Sequence, residues 1–113
     1  MSVVRVGLCE GHHSVPVEGY IFPAEIDPLD IAGMRKKISD FFESHLEWGT
    51  HVRPSQWSYD DYYVETSDDY VHLFVSDLTV AVAEVIHYCY DYGITLILFH
   101  YDRDTGEYYP QYM

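Results

Sequence analysis

The chain has 113 residues, of which 48% are hydrophobic, and its 19 acidic residues against six Lys and Arg give a net charge of -13. This length suits one domain with its own core, and the hydrophobic content excludes a disordered acidic tail. We therefore predict a single compact domain over residues 1–113. The negative charge argues against direct binding of DNA or RNA, because nucleic-acid binders need cations to contact phosphates.

Targeting and redox features indicate a cytoplasmic protein. No stretch reaches the roughly 18 apolar residues that a membrane span needs, and the first residues lack the cleavage site of a signal peptide. Cys9 and Cys89 are too few for a disulfide framework. We predict that both are free thiols in a reducing compartment and that the protein does not bind membranes.

The first half of the chain predicts two strands and a helix. Val3 to Cys9 is rich in β-branched residues and 15–22 is a second extended stretch, so both are predicted strands. Asp27 before Pro28 is typical of an N-cap followed by proline at the first helical position. Gly49 is the predicted helix stop. Apolar residues recur at spacings of three and four and indicate an amphipathic helix: Ile31, Met34, Ile38, Phe41, Phe42 and His45.

The middle of the chain predicts an irregular segment and then a hairpin. Residues 50–61 show no regular pattern. The segment 62–65 and the strongly apolar 70–75 are predicted to pair as a hairpin around the turn residues Ser67, Asp68 and Asp69.

The last part of the chain predicts a helix and two strands. Ser76 or Asp77 is the expected cap of a helix over 78–92, which is apolar on most of its circumference and ends at Gly93. The nearly continuous apolar run 94–99 is typical of a central strand that is covered on both faces. The turn at 104–106 leads into a last strand over 107–112.

The order β-β-α-β-β-α-β-β predicts an α/β (α+β) fold, with a mixed β-sheet of about five to six strands and two helices packed on one face. A doubly wound parallel sheet is the alternative. In that fold Cys9, Val75 and Phe99 would end three parallel strands.

One candidate site follows from that alternative. Parallel strands would bring Cys9 and several polar residues to the carboxyl edge of the sheet, where α/β folds bind ligands. There a histidine can act as general acid or base. The candidate residues are His12, His13, Asp77, His100 and Asp102.

Metal sites and catalytic motifs are not indicated. Cys9 and His12-His13 match no closed zinc pattern, and 102–113 lacks the fifth and twelfth ligands of a calcium loop. We therefore predict no metal and no cofactor. The absence of phosphate-binding, nucleophile-elbow and zinc-protease motifs lowers the prior for an enzyme without removing it.

The second candidate site is an acidic, aromatic stretch. Tyrosine and tryptophan supply large rigid contact areas, and carboxylates between them resemble the spaced charges of phosphates. A plain alternative is that the tyrosines alternate between the core and a sheet face while the acids are solvated. The candidate partner-binding residues are Trp57, Tyr59, Asp60, Asp61, Tyr62, Tyr63, Asp68 and Asp69.

The leading hypothesis is a non-catalytic inhibitor that binds and blocks a basic, nucleic-acid-handling surface of a partner protein. Small acidic proteins with that activity occur among phage anti-defence and bacterial immunity proteins, which is an analogy of function only. The alternative is a small-molecule or nucleotide-binding domain, or a hydrolase, that uses the histidine-lined edge. A homodimer formed through the 78–92 helix is compatible with either hypothesis.

Overall fold

The structure is a computed structural model that describes residues 3–10, 17–54, 61–66, 69–76 and 78–113, with only the backbone of 49–54 and 61–66. The predicted mixed sheet with two helices is confirmed, and the order contains one strand more than expected. Along the chain the elements are β1 Val3–Cys9, β2 Gly19–Phe22, α1 Ile31–His45, β3 Gly49–Pro54, β4 Asp61–Thr66, β5 Tyr70–Phe74, α2 Thr79–Asp91, β6 Thr95–Asp102 and β7 Glu107–Tyr112.

The main sheet has five strands in the order β2-β1-β5-β6-β7. β1 pairs in parallel with both β2 and β5, and β5 pairs in parallel with β6. The antiparallel β7 makes the sheet mixed. The strands that end at Cys9, Phe74 and Asp102 are therefore parallel, as the doubly wound alternative required, and their carboxyl ends lie at one edge of the sheet.

Both helices pack on one face of this sheet and share its core. The ring of Phe42 in α1 stacks on Tyr88 of α2, with 5.4 Å between centroids. Arg35 of α1 also contacts Glu84 of α2 through an Nε to Oε2 distance of 2.7 Å. The helical residues buried against the sheet are Met34, Ile38, Phe42, Ala81, Val85 and Cys89. Within each helix they are four residues apart, which is typical of one face of a helix and agrees with the sequence pattern.

The helix starts differ from the predicted ones. Asp30, not Asp27, is the N-cap of α1, and its Oδ1 accepts the N–H of Gly33 at 3.0 Å. Asp27 instead accepts the N–H of Leu29 at 2.9 Å, in the turn before the helix. The N-cap of α2 is Leu78, which makes no side-chain cap hydrogen bond. The predicted capping residue Asp77 lies outside the described residues.

The predicted end of α1 is wrong, and the predicted end of α2 is confirmed. α1 ends at His45, and Gly49 begins β3 rather than stopping the helix. Gly93 has a φ of 65° and ends α2 in the left-handed conformation that glycine adopts without strain. There the N–H of Ile94 donates to the carbonyl of Cys89 at 2.8 Å, which is typical of a Schellman motif.

The predicted hairpin between 62–65 and 70–75 is wrong. β4 pairs antiparallel with β3, from Gly49 opposite Thr66 to Pro54 opposite Asp61, in a separate two-stranded sheet. β5 instead lies between β1 and β6 in the main sheet. Val71 and Leu73 are fully buried there, a burial that a lone hairpin does not provide. The segment 50–61 therefore contains a strand that has no periodic pattern.

The predicted hairpin of β6 and β7 is confirmed. Asp102 pairs with Glu107, and Gly106 has a φ of 73° in the turn between them. The Asp102 carboxylate accepts the N–H of Asp104 at 2.9 Å, so it stabilises this turn.

β7 is an edge strand that carries a proline. The carbonyl of Phe99 accepts the N–H of Val75 at 3.0 Å and so faces β5. Its partner Pro110 on β7 is therefore in a non-hydrogen-bonded pair, and its nitrogen faces the free edge of the sheet. A missing N–H at that position interrupts pairing with another chain.

Among the described residues, no helix is long and apolar enough to cross a membrane.

Candidate interaction surfaces

The face of the sheet opposite the helices carries aromatic side chains. Strand residues alternate between the two faces, and on β5 Val71 and Leu73 face the helices while His72 and Phe74 face away. The same alternation on β2, β6 and β7 places more rings beside Phe74. We call this set the aromatic face, and its members are Tyr20, Phe74, Phe99, Tyr101, Tyr108 and Tyr112.

The rings of the aromatic face contact one another. Phe74 and Phe99 stack with centroids 5.0 Å apart and planes 18° from parallel. Tyr108 approaches Phe74 edge to face at 5.0 Å, and Tyr101 lies 5.3 Å from Tyr108. These four side chains are partly exposed, so the cluster presents ring surfaces and phenol groups to solvent. Aromatic pairs in such geometries add to the stability that burial alone provides.

Tyr20 extends the cluster onto β1. Its ring lies on the backbone of Gly7, where a Cβ would collide with the Tyr20 ring carbons. Burial raises the pKa of Tyr108, and the neighbouring phenols Tyr101 and Tyr20 raise it further. Tyr101 and Tyr20 therefore both lie in the neighbourhood of Tyr108.

Charged residues lie at both ends of the aromatic face. At one end Arg5 and His72 are paired across β1 and β5, and burial followed by the charge of Arg5 lowers the pKa of His72. At the other end, the β6–β7 turn beside Tyr101 and Tyr108 contains Arg103 and Asp104, whereas Glu107 pairs with Asp102 and lies on the helix side of the sheet. The turn at the tyrosine-rich end of the face therefore carries charges of both signs.

The structure describes only half of the eight residues of the predicted acidic stretch. Trp57, Tyr59, Asp60 and Asp68 lie outside the described residues. Three members, Asp61, Tyr62 and Tyr63, form the start of β4, where their backbones pair with Pro54, Arg53 and Val52 of β3.

Asp69 is buried rather than presented on the surface. Its side chain is 5% exposed, and its Oδ2 accepts the N–H of Glu47 at 2.9 Å. Glu47 follows α1 and Asp69 precedes β5, so this hydrogen bond joins the two ends of the β3–β4 insertion. The structure therefore gives Asp69 a role in the fold, and it offers little carboxylate surface to a partner.

The described members of the carboxyl-edge site fall on two faces of the sheet. Cys9 is buried, which raises the pKa of its thiol, and the nearby Ser76 hydroxyl offsets part of that increase. Ser76 Oγ is itself buried and has no hydrogen-bond partner of good geometry among the described residues. His12, His13 and Asp77 lie outside the described residues.

His100 lies on the other face of β6 from Tyr101, since neighbouring strand residues point to opposite faces. Its Nε2 is 2.6 Å from Oε1 of Gln111, and its ring contacts Tyr109. Asp102 is engaged in the turn. In the part of the chain that the structure describes, no three His, Cys, Asp or Glu side chains converge as a metal site would require.

Two of the six Lys and Arg residues are paired with carboxylates within the helix layer. Arg35 is paired with Glu84, and Lys36 Nζ lies 2.8 Å from Asp40 Oδ2 within α1. Because six Lys and Arg face 19 acids in the whole chain, these pairs leave the rest of the surface with a large excess of negative charge.

Sequence reasoning missed the aromatic face because 94–99 was interpreted as a strand covered on both faces. The signal was present as alternation, since Phe99 and Tyr101 alternate with Leu98 and His100, and Tyr108 and Tyr112 share one parity on β7. Comparison with profiles of known protein families, with curated proteins and with solved structures gives no match. The class of protein is therefore defined by its α+β fold, and its function must be argued from the surfaces themselves.

Proposed function

We propose that this protein is a non-catalytic interaction protein that binds and blocks a basic surface of a partner protein, such as one that handles nucleic acid. The observation that carries the proposal is the net charge of -13 on a chain whose cations Arg35 and Lys36 are already paired internally. Excess charge of one sign destabilises a compact state through self-repulsion, but it steers association with a surface of opposite charge.

The acidic side chains of 57–68 are the proposed charge-bearing part of this interface, and the exposed rings of the sheet add contact area. Tyrosines near carboxylates suit a protein interface because they bury large area at a small entropy cost and retain a polar tip. A cytoplasmic location is part of the proposal, and the free thiols Cys9 and Cys89 favour it. An inhibitor of a host defence protein is the biological setting in which such a surface would act.

The test is capture of partners from host extract at low and high salt. The charge variant combines Asp60→Asn, Asp61→Asn and Asp68→Asn, and it omits Asp69 because that carboxylate supports the fold. We expect capture of a basic protein that weakens with salt and with the charge variant, since screening and charge removal reduce the same attraction.

A matched control removes the same number of negative charges from exposed positions near the helices, by Glu25→Gln, Glu43→Gln and Asp91→Asn. Equal loss of capture in both variants would show that only net charge matters and would contradict a specific acidic interface. Absence of any salt-sensitive basic partner would overturn the proposed function.

A second candidate function is small-molecule binding at the carboxyl edge. One observation favours it: the chain leaves β1 towards β2 and leaves β5 towards β6, so the crevice between β1 and β5 is a topological switch point. Cys9 and Ser76 lie there. A nucleotide screen by thermal shift tests this candidate, and His12→Ala with His13→Ala should abolish any stabilisation found. Failure of every ligand class to raise the melting temperature would contradict it.

A further inference from the structure

We propose that the aromatic face is a docking surface for arginine side chains of a protein partner, whose guanidinium groups stack on the exposed rings. The inference rests on the proposed function and deepens it, because it names the chemistry of the partner and adds residues of the main sheet to those of the acidic stretch 57–68. Phe74, Phe99, Tyr101 and Tyr108 form its centre.

The rings supply the first reason. Phe74 and Phe99 lie nearly parallel, Tyr108 meets Phe74 edge to face, and Tyr101 is tilted against Tyr108, so the partly exposed cluster offers both ring faces and phenol oxygens. A planar guanidinium stacks on such rings and can donate hydrogen bonds from its edge at the same time. A lysine ammonium interacts with the rings as a compact point charge and lacks the stacking contribution.

Charge selects this occupant over two others. Stacked rings on a sheet also bind nucleobases, but a net charge of -13 repels the phosphates that accompany them. A second copy of the chain would be repelled, because it carries the same net negative charge. An arginine-bearing segment satisfies both the rings and the negative field of the whole chain.

The probe is a short peptide of alternating Arg and Gly, compared with a Lys and Gly peptide of the same length and charge. Binding is measured by fluorescence anisotropy at low salt, and the contacted residues are mapped by NMR chemical shifts. We expect the Arg peptide to bind more tightly than the Lys peptide, and each ring on which a guanidinium stacks should contribute about two- to five-fold to the affinity of the Arg peptide. The largest shifts should fall on Phe74, Phe99, Tyr101 and Tyr108.

The decisive variant is Tyr101→Leu with Tyr108→Leu, which should clearly reduce the preference for Arg over Lys because it removes two of the four central rings. The conservative pair Tyr101→Phe with Tyr108→Phe keeps the rings and should retain most of it. Tyr90→Leu is the matched control, because Tyr90 is 85% exposed on α2, in the helix layer on the other side of the sheet. If the Leu variant does not fold, the NMR map of the unchanged protein decides the question.

Several results would overturn the inference. They are equal binding of the two peptides, peptide shifts confined to other surfaces, tighter binding of a single-stranded oligonucleotide at these rings, or a homodimer that buries them. The outcome of the capture experiment with the Asp60, Asp61 and Asp68 variant does not depend on the outcome of the peptide-binding experiment. If the unchanged protein shows no preference for Arg but its capture of a basic partner remains salt-sensitive, this docking surface is ruled out and the proposed function stands. If the Arg peptide is preferred but no basic partner is captured, the face binds guanidinium groups and the proposed inhibitor function is wrong.

Discussion

The hydrogen bond between Asp69 and Glu47 predicts a large effect of a single side chain on folding. The Asp69 carboxylate is 5% exposed and accepts the backbone N–H of Glu47 at 2.9 Å. A hydrogen bond to a charged group contributes about 1.5–3 kcal/mol, and its loss leaves a backbone donor unsatisfied. We therefore expect Asp69→Ala to lower the free energy of unfolding by about 1.5–3 kcal/mol.

For a domain of this size, that loss corresponds to a melting temperature lower by about 6–12 °C. The measurement is thermal and urea unfolding followed by circular dichroism, together with hydrogen exchange at the Glu47 amide. Glu25→Ala is the control, since it also removes one negative charge but from an exposed loop position. Any relief of general self-repulsion is then the same in both variants.

The reasoning would be refuted if the free energy of unfolding of Asp69→Ala lay within about 0.5 kcal/mol of that of the control. It would also be refuted if the Glu47 amide kept its protection from exchange in Asp69→Ala. Either outcome would mean that the ends of the β3–β4 insertion are held together by other contacts.

Three further predictions concern the helix start, alkaline pH and the sheet edge. Asp30→Ala should cost about 1 kcal/mol in urea unfolding and Asp27→Ala clearly less, since only Asp30 caps α1; equal costs would contradict the assigned cap. Burial raises the pKa of Tyr88 to about 12 from the usual 10.0, so the unfolded phenol ionises first and stability should fall as pH rises between these values. Tyr88→Phe should reduce that fall in pH-dependent urea unfolding, and an unchanged slope would show that Tyr88 does not cause it. Pro110→Thr should restore a donor on the free edge of β7 and increase self-association in sedimentation velocity, whereas an unchanged monomer would show that another feature protects the edge.

Local patterns identified most of the secondary structure. The spacing of Met34, Ile38 and Phe42 indicated the buried side of α1 because a helix repeats every 3.6 residues whatever it packs against. Gly93 and Gly106 were identified as turn positions because glycine adopts positive φ at little cost, and both have positive φ in the structure. These features depend on neighbouring residues, and so the sequence alone determined them.

The candidate site was harder to predict than the elements. The acidic stretch was visible in composition, but burial of Asp69 depends on the approach of Glu47, which is 22 residues away in the chain. The aromatic face depends on strands β2, β5, β6 and β7 being brought into one sheet. No local pattern contains that information.

Only the tertiary structure decided which strands pair. The backbone hydrogen bonds of β4 would be satisfied equally by β3 or by β5, so the sequence of 61–66 does not distinguish these partners. The choice follows from burial: Val71 and Leu73 need a helix-covered sheet, and β5 therefore takes the position between β1 and β6. With both helices on one face, Phe74, Phe99 and Tyr108 are left together on the other, since alternation of side chains makes each strand contribute to both faces.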